Sequence, residues 1–472
     1  MRRFRIAPSP TGNLHIGTLR TTLFNWILAQ KEEGCLILRI EDTDQERSKS
    51  EFEANIIDGI TWMGLTPHEG PIRQSDRMKD GIYQQYAKRL IDEKHAYLCF
   101  CSDAELDAER ALAQSHNQPY RYSRKCHGLS KEDITSKIAQ KIPFTVRFYI
   151  QDGPPIVFDD AIRGPISFDR HLLSDFVLVK SDKSPSYNFA VVVDDLDMAI
   201  TDVVRGEDHI SNTPRQLLLF EALGATPPQY AHLPMILGTD RSKLSKRHGA
   251  TSVTQYRDMG YLPEAIFNYL VLLGWSSTTG EDILTQEQVI EEFSVSRISK
   301  SGAIFDIAKL KWMNGQYIRK LSPDNLVKAL TPYVTPEALA MLQGMDSERV
   351  KRIFVSIQDN LDVLTDINVY VPVYLYGFDD FKKYVDSLTF TPQDLEVIKR
   401  FLDKCSGLTF DSKSIEDKLQ ETIQDTGLAK GKVLKPIRYA SSGLGSGPHL
   451  PEFLSILTLK EVQKRLEYVL SK

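Results

Sequence analysis

Cysteine is scarce in this chain, with five among 472 residues. An odd, scattered set excludes a disulfide-stapled framework and fits the reducing cytoplasm. Long apolar runs are missing too. The longest, Ile266 to Trp275, is about half of the roughly 20 residues a bilayer-spanning helix needs, so a membrane protein is not expected. The start holds no export signal, because the basic Met1 to Phe4 leads to prolines at 8 and 10 where a secretory segment needs an apolar core. An excess of positive charge is also absent. With a net charge of −5, any nucleic-acid partner must be held by local basic patches and not by the whole field. There is no repeat and no low-complexity tract.

What is present is ordinary globular material, 42% hydrophobic and 26% charged, in a chain long enough for about three units at roughly 150 residues each. Residues 2–7 read as a strand, 16–32 as a helix with Leu19, Leu23, Trp26 and Ile27 on one stripe, and 35–41 as an apolar strand. Strand, helix and strand with short links predict a doubly wound parallel α/β sheet, with ligands beyond the strand carboxyl ends. Helices are expected at 50–64 and 77–94. The pattern then loosens from Cys99 to Pro185, apart from short strands such as Phe144–Ile150, and this stretch reads as an insertion. The α/β pattern returns at Phe189–Asp194 and Ala199–Val204, followed by a helix at 213–223 and a strand at 231–237. From about residue 320 helical segments such as Pro336–Leu342 and Glu348–Leu361 dominate, which predicts an all-α C-terminal domain. The expected boundaries are 1–94 and 187–240 for two halves of one catalytic sheet domain and 95–186 for the insertion. Residues 241–320 are expected to form a loop and junction, and 321–472 the helical domain.

Chemistry concentrates in two stretches. In "RIAPSPTGNLHIG", Pro8 and Pro10 bias Ala7 and Ser9 away from helix, and Gly12 permits a sharp turn, so the strand must stop at Ala7. His15 and Gly17 then fall at a helix N-terminus, where free N–H groups and the dipole favour phosphate, and Gly17 lets a flat ligand approach the backbone. In "DRSKLSKRHG", Arg241, Lys243, Lys246 and Arg247 crowd a loop after a strand, with small Ser242 and Ser245 between them. Mobile cations of this kind neutralise a transferring phosphoryl group more in the transition state than in the ground state.

With both stretches in place, the chain resembles a bacterial class I glutamyl-tRNA synthetase from end to end. "APSPTGNLHIG" resembles that family's form of the HIGH motif and "KLSKR" its KMSKS loop. "YNFAVVVDDLDMAITDVVRGEDHISNTPRQ", "YLPEAIFNYLVLLGW" and "WMNGQYIR" are similar to stretches the family carries in the same order. Thr18 stands where HIGH ends in histidine, and Leu244 and Arg247 replace the methionine and last serine of KMSKS, variants usual in the glutamyl branch. The resemblance implies a Rossmann-type catalytic domain that forms glutamyl-adenylate from ATP and L-glutamate with Mg²⁺, then esterifies the terminal adenosine of tRNA(Glu). A monomer is the family expectation.

By the same resemblance His15, Lys243 and Lys246 are catalytic. The nucleotide lies against Pro8, Ser9, Pro10, Thr11, Gly12, His15, Gly17, Thr18, Glu207, Asp208 and His209, and against Lys243, Leu244, Ser245, Lys246 and Arg247. Glutamate lies against Arg5, Ala7, Ser9, Glu41, Tyr187 and Arg205, and tRNA against Asp44 and Arg438. Lys430, Lys432, Lys435 and Tyr439 add basic and aromatic groups near Arg438, and Trp312, Tyr317 and Arg319 lie in the junction segment.

Three thiols, Cys99, Cys101 and Cys126, with one further donor could hold tetrahedral Zn²⁺. Buried free cysteines are the plain alternative. Many bacterial members of the family carry zinc in this insertion. Tyr122, four positions before Cys126, is favoured as fourth ligand, with His127 as the alternative. Two other readings stay open. One is an enzyme like the short glutamyl-queuosine tRNA synthetase, against which the helical C-terminal third argues. The other is a non-catalytic zinc-containing RNA-binding protein, which leaves the His15 and Lys243–Arg247 stretches unexplained. Whether tRNA(Gln) is also charged is not legible in the sequence.

Overall fold

The strand Arg3–Ile6 (β1) alternates arginine with Phe4 and Ile6, and Cys35–Ile40 (β2) is apolar but for Arg39 and is buried at every position. A strand with no solvent face belongs in a parallel sheet covered on both sides. They pair in parallel with Phe4 opposite Leu36 and Ile6 opposite Leu38, and the helix Ile16–Lys31 makes the connection. In this computed structural model, which describes residues 1–405 and 410–472 and omits the side chain of Lys246, these strands are part of a seven-stranded sheet.

Taking the remaining strands in order, β3 is Glu69–Arg73, β4 Ala96–Cys99, β5 Thr145–Phe148, β6 Ile156–Asp160 and β7 Gly164–Phe168. They are followed by β8 Val177–Val179, β9 Asp202–Gly206, β10 Gln229–Leu233, β11 Ile236–Leu237 and β12 Ala303–Ile304. The large sheet has the order β3-β2-β1-β9-β10-β6-β7, parallel throughout except for the antiparallel β6–β7 hairpin at one edge. The chain leaves β1 toward β2 on one side, while β9 and β10 lie on the other. The crevice beyond the carboxyl ends of β1 and β9 is therefore a topological switch point.

Three features differ from the simplest reading of the pattern. Residues 156–168, inside the stretch read as an insertion, join the large sheet as β6 and β7, and only β4, β5 and β8 form a separate antiparallel sheet. The apolar run Phe189–Asp194 is helical, within Tyr187–Asp197. Residues 189–193 are all apolar and buried, so no polar position within them marks a period that would separate strand from helix. The segment expected as one helix over 77–94 is two, Gln74–Lys79 and Ile82–Asp92, broken at Gly81, whose φ of 72° lies in the left-handed region.

The chain divides into two compact units, Met1–Gln255 with Phe267–Asp306, and Tyr256–Ile266 with Ile307–Lys472. The second is helical, with no strand among its described residues. Its helices start on signals visible in the sequence: Ser322, Thr335 and Thr391 each accept an N–H from the residue three positions on, and each is followed by proline at the first helical position. Their apolar faces close around Leu326, Phe354, Ile357, Phe381, Phe401, Ile437 and Leu466.

Candidate active site

A cavity of about 450 Å³ opens at the switch point between β1 and β9. His15 is the N-cap of the Ile16–Lys31 helix, and its Nδ1 accepts the Gly17 N–H at 3.0 Å. Nδ1 is thus unprotonated, and burial together with the Lys243 charge lowers the imidazole pKa, so His15 is neutral with its remaining proton on Nε2. Gly12 does not serve the turn as expected. It has no left-handed φ and open space where a Cβ would stand, so Pro8 and Pro10 carry the break. A Cβ at Gly17 would sit 3.4 Å from His15 Nδ1, on the side of the capping ring.

The second stretch folds against the first. The Ile16 N–H donates to Thr251 O and the Val253 N–H to Leu14 O, so the backbone just after the basic loop pairs with the backbone around His15. Within the loop, Asp240 accepts from the Ser242 N–H and hydroxyl and pairs with His248 and Arg247. These contacts hold its carboxyl well below the usual range. Lys243 reaches Asp208 at 3.2 Å and lines the cavity with Leu244. The side chain of Lys246 lies outside the described residues. Ser245 and Arg247 do not line the cavity, nor do Pro10, Thr11 and Gly12, whereas Pro8, Ser9, Gly17, Thr18, Glu207, Asp208 and His209 do.

Arg5, Ala7, Glu41, Tyr187 and Arg205 line the same space. Arg39, fully buried, donates to Asp195 at 2.7 Å and to Glu41 at 3.2 Å, and Arg5 lies 3.4 Å from Asp195. Burial raises the Glu41 carboxyl, while Arg39 and Arg5 pull it down. Arg205 Nε donates to His232 Nε2 at 3.1 Å and its Nη2 to Thr213 Oγ1 at 2.8 Å. Its Nη1 is buried and has no hydrogen-bond partner among the described residues. A buried guanidinium nitrogen without an acceptor carries a desolvation cost that an anionic ligand removes. Burial and Arg205 push His209 down to about 4, so its neutral ring faces the Tyr187 hydroxyl at 3.0 Å from Nδ1.

Sequence reasoning missed several of these groups. Arg20 lines the cavity from within the first helix, donating to Leu273 O at 3.0 Å and to Pro234 O, and burial brings its pKa to about 10. A charge amid Ile16, Leu19, Leu23 and Phe24 was the available signal. Glu207, expected at the nucleotide, accepts the Met235 N–H at 2.8 Å and pairs with Arg163.

Away from the cavity, Cys99, Cys101 and Cys126 hold their sulfurs within 4.8 Å of one another. The Tyr122 hydroxyl stands 3.3 Å from Cys99 Sγ and 3.2 Å from Cys101 Sγ, and the Cys101 and Cys126 sulfurs are 3.6 Å apart. A tetrahedral zinc with Zn–S bonds of about 2.3 Å separates its sulfurs by about 3.8 Å, so the donor set fits that ion. The His127 ring instead stacks on Tyr149 at 4.1 Å and meets Tyr97 edge-on. Asp44 lies outside the cavity in an ion pair with Arg47, and Arg438 is half-buried on the helix Lys430–Ser442 of the second unit.

Residues 2–312 match the family model for the catalytic domain of tRNA synthetases class I (E and Q), and residues 325–470 match the anticodon binding domain model. The chain is 40% identical over 467 residues to glutamate–tRNA ligase 1 of Caldanaerobacter subterraneus, covering 98% of this chain and 96% of that one. It is 42% identical over 482 residues to glutamate–tRNA ligase of Aquifex aeolicus, covering 99% and 98%. Among solved structures it superposes on a glutamate tRNA ligase from Elizabethkingia meningosepticum in complex with its amino acid, with a TM-score of 0.88, 30% identity, and coverage of 100% of this chain and 99% of that one.

Proposed function

Since the chain belongs to the class I tRNA synthetases of the glutamate and glutamine group, we propose that the cavity between β1 and β9 binds ATP and glutamate together, for a glutamate–tRNA ligase. The observation that carries this reading is the gathering of the His15 helix N-terminus, Lys243 and the unpartnered Nη1 of Arg205 around one space. One end offers N–H groups and cations for a triphosphate, and the other a buried cation for a carboxylate.

In the first step a glutamate α-carboxylate oxygen attacks the α-phosphorus of ATP, forming glutamyl-adenylate as pyrophosphate leaves. The attacking carboxylate needs no general base, so catalysis rests on alignment and on stabilising charge as it moves toward the leaving group. His15 Nε2–H and the first free N–H groups of its helix meet the phosphates, and Lys243 and Lys246 neutralise the departing pyrophosphate. Mg²⁺ accompanies the nucleotide and supplies further neutralisation. In the second step the 2′-hydroxyl of the terminal adenosine of tRNA(Glu) attacks the activated carbonyl and AMP leaves.

Glutamate is held with its side-chain carboxylate on Arg205 and Arg5 and its ammonium at Glu41, with Ala7, Ser9 and Tyr187 closing around it. Glutamine offers Arg205 only a neutral amide oxygen and turns its NH2 donors toward the cations, so it loses the charge-assisted pairing, and that penalty separates the two. Asp44 and Arg438 face tRNA in this reading. A structural zinc is held by Cys99, Cys101, Cys126 and Tyr122. The five cysteines, all without disulfide partners, suit the cytoplasm.

Aminoacylation of purified tRNA with labelled glutamate tests the reading. Glutamyl-tRNA should form only with ATP, and labelled glutamine should give none. Because pyrophosphate exchange in this family needs tRNA, the assay includes tRNA throughout. Absence of glutamyl-tRNA from folded protein with cognate tRNA would contradict it.

A further inference from the structure

Behind Arg205 stands a buried relay that the reaction steps do not use. His232, on β10 directly opposite Arg205 in the parallel register, is fully buried. Its Nδ1 lies 2.6 Å from Asp160 Oδ2, and its Nε2 faces the Nε–H of Arg205. That N–H can only donate, so Nε2 must be the acceptor and the imidazole proton must sit on Nδ1, donated to Asp160. Asp160 is itself fixed: it also accepts the backbone N–H groups of His232, Ile162 and Arg163 at the β6–β7 turn. The Thr213 hydroxyl, 3.2 Å from His232 Nε2, receives Arg205 Nη2. Two of the three guanidinium nitrogens are thereby anchored, and the third is left over.

We propose that His232, oriented by Asp160 and assisted by Thr213, is a positioning residue for glutamate specificity, holding Arg205 in the one orientation that leaves Nη1 for the substrate's side-chain carboxylate. The inference rests on the reading of Arg205 as a glutamate-binding residue. An arginine on a long side chain has several orientations of similar energy, and an acceptor fixed on Nε selects among them before substrate arrives, which lowers the ordering cost of binding.

The test uses steady-state aminoacylation with tRNA, reading the KM values for glutamate and ATP and the thermal midpoint for each variant. Asparagine places its amide nitrogen where Nδ1 was, keeping the bond to Asp160 and losing the acceptor for Arg205. Glutamine places an oxygen where Nε2 was and keeps that acceptor. His232→Asn should raise the glutamate KM by about tenfold or more, with the ATP KM changed by less than about twofold. His232→Gln should recover most of the loss, and the isosteric Thr213→Val should raise the glutamate KM selectively. If Arg205→Ala raises the glutamate KM while folded His232→Asn leaves it unchanged, the positioning role is overturned and the reading of Arg205 stands. If Arg205→Ala leaves it unchanged, that reading fails first. Equal rises in both KM values for His232→Asn would mark a merely structural role and overturn the proposal. Should His232→Asn not fold, Thr213→Val decides: an unchanged glutamate KM overturns the proposal.

Discussion

His15 shows how much one side chain can hold. Its Nδ1 closes the open end of the first helix on Gly17, and the same bond forces the proton to Nε2, on the ring's other nitrogen. In the proposed reading Lys246, on the basic loop, acts on the departing pyrophosphate. Lys246→Ala should lower adenylate formation, measured as pyrophosphate exchange with tRNA present, by about two orders of magnitude or more. Its thermal midpoint should stay near that of the parent protein, and near-normal turnover of the folded variant would remove Lys246 from catalysis. The motif residues were legible because proline, glycine, histidine and lysine stood where a strand should have run on. Asp160 and His232 were not, because each looks ordinary in its own neighbourhood. His232 and Asp160 are 72 positions apart and meet only through the pairing of β6 with β10. Gly12 was read as permitting a sharp turn, and its backbone has no left-handed φ that would need a glycine.

Elements were legible where their chemistry was local. The parallel strand β2 announced itself as a nearly unbroken apolar run, and the C-terminal helices by Ser-Pro and Thr-Pro starts. The helix Tyr187–Asp197 was ambiguous because valines buried on every side carry no period, and the place of β6 and β7 in the large sheet depends on a pairing with β10 that no local pattern encodes. In the lobe built on β4, β5 and β8, the buried core is small, with Cys99 and Cys126 beside Tyr97, Phe100, Leu106 and Tyr122, and a bound metal would reinforce it. Protein purified without chelator should carry about one zinc per chain by elemental analysis. Cys126→Ser should abolish it and expose the lobe to proteolysis, and Tyr122→Phe should weaken retention while His127→Ala leaves it in place. Intact reduced thiols with no zinc would end this part of the account.

For the whole molecule, the boundary between units does not follow chain order, because residues 256–266 belong with 307–472. Leu262 and Ala265 are buried in the helical unit's core, beside Ile318 and Leu326. A fragment ending at residue 320 would leave them without that core, at a cost of about 1.5–3 kcal/mol for the leucine alone. The fragment should therefore melt below the full chain and bind an apolar dye, and equal stability without dye binding would contradict the division. With a net charge of −5, tRNA binding must rest on local basic patches, for which Arg438 is a proposed contact, so affinity should fall steeply with added salt. The central claim is that two stretches more than 200 positions apart enclose one nucleotide beside one amino acid, and a crystal grown with glutamate and a non-hydrolysable ATP analogue tests it most directly. The account predicts triphosphate density between the His15 helix N-terminus and Lys243, with the glutamate side chain on Arg205 Nη1. A triphosphate bound elsewhere, or a glutamate whose carboxylate does not meet Arg205, would contradict it.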